Sequence, residues 1–138
     1  MLQRKQTLWM LLAAACAVLT LKFSFSTGPS AADGKIIEYV TATSNIFLMI
    51  MTVALVVATL VNVFNYKNRV LQLRITVMLI VISLLDIYLF YWQTNKKFIN
   101  GTYSLGSILA LVIPVALIFA ARGIFKDQKL VKSVDRLR

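Results

Sequence analysis

At 138 residues the chain has room for one domain, but 59% of it is apolar, against about 45–50% in a soluble domain. Fifteen Lys and Arg against five Asp and Glu give a net charge of +10, with no His and a single Cys. That composition excludes an internal disulfide, a Cys/His metal cluster and histidine-based catalysis.

The apolar residues fall into four blocks, each about one bilayer long, since a ~30 Å hydrocarbon core needs about 20 helical residues. The blocks are Leu8–Phe25, Ile46–Tyr66, Ile75–Trp92 and Ser104–Phe125. They are apolar on nearly every face, which points to helices rather than the alternating strands of a barrel. The first block reads as a retained helix, because its apolar run continues past Cys16 and reaches Leu21. The expected fold class is an all-α membrane protein: four transmembrane helices in a compact bundle, forming a single domain over residues 1–138.

Between the first two blocks, Thr27-Gly28-Pro29-Ser30 and Asp33-Gly34 are turn formers, and Lys35–Thr41 reads as a short strand or interfacial segment. The loop Gln93–Tyr103 carries Asn100-Gly101, a favoured hairpin dipeptide. These two segments are expected to pair as a small cap. After Phe125, the tail 126–138 spaces Leu130, Val131, Val134 and Leu137 as a short amphipathic helix among basic residues.

Arg4, Lys5, Lys67, Arg69, Arg74, Arg122, Lys126, Lys129, Lys132, Arg136 and Arg138 lie at one end of the expected bundle. Lys22, Lys35, Lys96 and Lys97 lie at the other. The positive-inside rule then places both termini and the loop between the second and third spans in the cytoplasm. The same bias gives the positive charge its expected partners, the lipid bilayer and its anionic phospholipid, ahead of nucleic acid.

Asp86 is the only acidic residue inside a block, and a carboxylate at mid-bilayer costs ~2.5–3.5 kcal/mol on insertion scales. Lys22 is its expected ion-pair partner, with Tyr88 or Asn45 near them. Polar stripes are expected to face one another. The second block offers Asn45, Thr52, Thr59, Asn62 and Tyr66, and the third Thr76, Ser83, Asp86 and Gln93. They meet small residues at Ala13, Cys16, Ala17 and Thr20 in the first block, and at Ser107, Ala110, Pro114 and Ala121 in the fourth. Pro114 is expected to kink the fourth helix. No nucleophile–base pair, phosphate loop or cofactor motif is present, so the chain does not read as an enzyme.

Three segments carry a resemblance: Gln3-Arg4-Lys5-Gln6-Thr7, then Tyr66-Lys67-Asn68-Arg69-Val70-Leu71-Gln72-Leu73-Arg74, and the run from Arg122-Gly123-Ile124-Phe125 through Lys126-Asp127-Gln128-Lys129 to Arg138. In these the chain resembles domain-of-unknown-function family 4293, small four-pass membrane proteins found chiefly in Bacteroidota. The resemblance implies a bacterial inner membrane and no assigned activity. It marks a cytoplasmic interaction surface of Gln3, Arg4, Asn68, Arg69, Gln72, Arg74, Arg122, Lys126, Asp127, Asp135 and Arg136. Asp127 and Asp135 are expected to form ion pairs there with Arg69, Arg74 or Arg122. The expected function is a non-enzymatic accessory subunit or adaptor. Its inner face would bind a membrane or cytoplasmic protein partner, or anionic lipid. A small transporter or channel using Asp86 is the alternative.

Overall fold

A computed structural model of the chain describes residues 2–30, 32, 34–98 and 100–135. It is an all-α bundle of four helices: α1 (Leu2–Lys22), α2 (Ile46–Phe64), α3 (Arg69–Lys97) and α4 (Leu105–Asp135). A three-stranded sheet of β1 (Ser26–Pro29), β2 (Ile37–Val40) and β3 (Thr102–Tyr103) closes one end. Among the described residues, three segments are long and apolar enough to cross a membrane: Ile46–Lys67, Arg69–Lys97 and Leu105–Val131. α1 is not among them, since Gln6, Thr7 and Thr20, with lysines at positions 5 and 22, dilute its apolar run.

The helices follow one another around the bundle in the order α1, α4, α3, α2, and α1 packs most extensively on α4. Small residues make that approach possible. Ala13, Ala17, Ala116 and Ala120 are all buried, so the two backbones lie close together. Three apolar layers stack along the axis. The middle one centres on Cys16, Leu55, Leu79, Ile113 and Leu117. Phe25, Leu48 and Phe90 fill the layer under the sheet, and Met10, Ala120 and Ile124 fill the layer at the opposite end. Residues Leu84, Tyr88 and Leu111, by contrast, are more than half exposed on the bundle's outside, the pattern of a helix meeting lipid.

The helices differ from the hydropathy blocks in instructive ways. α3 runs well beyond both ends of Ile75–Trp92, because no Gly or Pro interrupts Arg69–Lys97 and polar residues continue the helix outside the apolar stretch. The tail after Phe125 is helical as expected, and it continues α4, which runs through Pro114 to Asp135. At ~1.5 Å per residue its 31 residues reach about 46 Å, longer than a hydrocarbon core is thick.

The two loop segments pair as a cap, as expected, but by a different route from the one their turn residues suggested. β1, built from the turn-like Ser26-Thr27-Gly28-Pro29, is the central strand, antiparallel to β2 (Ser26 opposite Val40) and to β3 (Ser26 opposite Tyr103). Asn100-Gly101 joins no hairpin, for α3 continues to Lys97 and β3 reaches across to β1. Backbones meet closely here. A Cβ on Gly28 would lie 3.0 Å from the Gly101 Cα, and one on Gly106 would lie 2.5 Å from the Ser24 carbonyl oxygen.

Candidate functional site

Asp86 lies in α3 with only 3% of its surface exposed. It faces α2, where the Thr52 hydroxyl is 3.3 Å from each of its carboxyl oxygens and 2.9 Å from the Leu48 carbonyl. The expected pair with Lys22 is not formed. Among the described residues the ion pair is Lys97 with Glu38, at 3.2 Å, and Lys22 is exposed at the end of α1. The order of the helices explains this: α1 packs on α4 and α2, α3 lies across the bundle from it, and Lys22 turns outward at the end of α1. Tyr88 points outward, 63% exposed, and Asn45 caps α2 by accepting from the Phe47 N–H.

At the end of the bundle away from the sheet, a polar lock joins α2 to α3. The Asn62 side-chain nitrogen donates to the Thr76 hydroxyl at 2.8 Å and to the Gln72 carbonyl at 3.4 Å. Gln72 returns the bond, its amide nitrogen donating to the Asn62 carbonyl at 3.1 Å. All three residues are buried. Gln72 therefore serves the helix junction and not the exposed surface expected of it. Its amide adds a second donor to a carbonyl in the last turn of α2 that already accepts from the Asn65 N–H. The Asn62 side-chain oxygen has no partner among the described residues.

A second clasp joins α1 to α4. The Gln6 side-chain amide donates to one carboxyl oxygen of Asp127, which is only 5% exposed. One turn earlier on α4, Gly123 makes the space: a Cβ there would lie 2.7 Å from Cγ of Gln6. Asp127 thus corrects the expected ion pair with Arg69, Arg74 or Arg122. Its partner is a neutral amide from the first helix, and its second carboxyl oxygen is unpaired among the described residues. Gln6 and Gly123 lie inside the segments that carried the family resemblance, yet sequence alone gave them no role. Their signal was a glycine four residues before a lone carboxylate in a helix that approaches another closely.

Around these clasps the surface is basic. Lys5, Lys67, Asn68, Arg74, Arg122, Lys126 and Lys129 are exposed and Arg69 is half-buried. No exposed carboxylate accompanies them among the described side chains, because Asp127 is turned inward. The side chains of Gln3, Arg4 and Asp135, and the whole of Arg136, lie outside the described residues. Among the described residues there is no group of three His, Cys, Asp or Glu placed to hold a metal. Cys16 is buried in the middle apolar layer. The arrangement offers cationic donors for anions and helix ends for docking. Among the described residues it places no nucleophile beside a base.

The polar clusters and the signature segments therefore converge on one end of the bundle, where the first and last helices meet. Neither among curated proteins nor among solved structures does the chain have a match. The model of a domain of unknown function, DUF4293, matches residues 2–137, nearly the whole chain, and the chain belongs to that family.

Proposed function

We propose that the protein is a four-pass inner-membrane protein with both termini in the cytoplasm, a non-enzymatic accessory subunit or adaptor that works through its inner face. One observation carries this reading. Lys5, Lys67, Arg74, Arg122, Lys126 and Lys129 are exposed together at one end, while the acidic residue nearest them, Asp127, is withdrawn into a buried bond with Gln6. A surface so arranged attracts anionic phospholipid or an acidic protein surface, at about 1 kcal/mol per basic residue near a charged membrane. The fourth pass is α1, which gains from packing on α4 the stability that its own hydropathy lacks.

The test is affinity purification in mild detergent, comparing the native chain with a Lys126→Glu, Lys129→Glu variant. Loss of a copurifying protein or of bound anionic lipid supports the reading. Unchanged recovery of both removes it. Transport through Asp86 is the second reading, supported by a carboxyl group inside an apolar helix. Its near-complete burial against Thr52 weighs on the side of packing. Transport of a solute by reconstituted protein, lost in Asp86→Asn, would reverse that order.

A further inference from the structure

The sheet end of the bundle carries lysines that run against the protein's own charge bias, and two of them meet in one cleft. Lys96 and Lys97, in the last turn of α3, line a cleft of about 330 Å³ with Trp92, Gln93 and Asn45. The lining contains no carboxylate. Lys97 is held from the side by Glu38 at 3.2 Å, and the Lys96 ammonium sits 5.1 Å over the Trp92 ring. Asn45 spends its oxygen on capping α2. Among the described residues, the amide nitrogens of Asn45 and Gln93 donate to no protein acceptor. Two lysines and two amides therefore line one cleft with hydrogens to give, and with Glu38 counted the cleft holds one net positive charge.

We propose that this cleft is a phospholipid headgroup site that takes the phosphodiester of a lipid in the adjoining leaflet. The charge fits, since a phosphodiester carries one negative charge and accepts several hydrogen bonds. The surroundings select a lipid over a soluble anion. Trp92 is 51% exposed, and Ile46 and Phe47, beside Asn45, are 75% and 56% exposed. A half-exposed indole beside bare apolar residues marks the boundary between headgroups and hydrocarbon. The cleft's positive charge favours phosphatidylglycerol, whose headgroup is anionic, over phosphatidylcholine, whose trimethylammonium it repels. The inference rests on the membrane reading above but not on the inner face, and it holds whichever side of the membrane this end faces.

Trp92 is the reporter. In a Trp9→Phe background it is the sole indole, and lipids brominated on their chains quench it on contact. In vesicles mixing phosphatidylglycerol with phosphatidylcholine, with either one brominated in turn, the proposal predicts phosphatidylglycerol enriched about fivefold at Trp92. Lys96→Gln brings that ratio close to one, and Gln93→Leu lowers it partway. Lys67→Gln and Lys126→Gln, at the opposite end, leave it unchanged, even where they abolish binding at the inner face. Equal quenching by both lipids in the native cleft would overturn the proposal, as would enrichment that survives Lys96→Gln. Displacement by inorganic phosphate would assign the cleft to a soluble anion and overturn the lipid assignment.

Discussion

The two ends of the bundle are closed by different means. At the sheet end backbone meets backbone: β1 lies between β2 and β3, and the Gly106 N–H donates to the Ser24 carbonyl at 3.0 Å. At the opposite end side chains do the joining, Gln6 to Asp127 and Asn62 to Gln72 and Thr76. Backbone closure tolerates little change in shape, because a carbonyl cannot move aside as a side chain can. Side-chain closure draws polar groups inward and leaves the surrounding surface free to be uniformly basic.

The comparison can be broken by substitution, with thermal unfolding in detergent followed by circular dichroism. Gly106→Ala carries the largest expected loss, about 3 kcal/mol, since its Cβ would press on the Ser24 carbonyl at 2.5 Å. Gln6→Leu follows at roughly 2 kcal/mol, because the buried Asp127 carboxylate loses its donor. Asn62→Leu removes the bond to Thr76 and costs about 1 kcal/mol. Glu38→Gln, in a half-exposed ion pair, costs less than about 0.5 kcal/mol. A Gly106→Ala cost no greater than that of Gln6→Leu would show that the sheet end yields as readily as the other, and the distinction would fall.

Much of the bundle could be read from hydropathy, because the bilayer imposes a length and an apolar surface on any helix that crosses it. The start of α2 at Ile46 followed from hydropathy and the burial of Thr52, Thr59, Asn62, Thr76, Ser83 and Asp86 from helical spacing, whereas Tyr66, placed on the same face, is 54% exposed. Hydropathy marks where lipid begins and ends, however, and not where a helix stops. That is why α3 and α4 outran their blocks; the order of the helices around the bundle, which keeps Lys22 from Asp86, leaves no mark on hydropathy. The cap was hard to read for a different reason. Ser26-Thr27-Gly28-Pro29 has the composition of a turn, and only the approach of Val40 and Tyr103 from distant segments makes it a central strand. Asp127 illustrates the same limit. Its neighbours in sequence are basic, but its partner, Gln6, lies 121 residues away in the chain.

The proposed topology, with four helices crossing the membrane and both ends of the chain in the cytoplasm, is open to labelling of intact cells with a membrane-impermeant maleimide. In a Cys16→Ser background, single cysteines replace the exposed residues Lys5, Thr43, Lys67 and Ser133 in turn. Thr43→Cys is expected to react from outside, and the other three only after the membrane is opened. Labelling of Lys5→Cys on the same side as Thr43→Cys would show that α1 does not cross, and would contradict that topology.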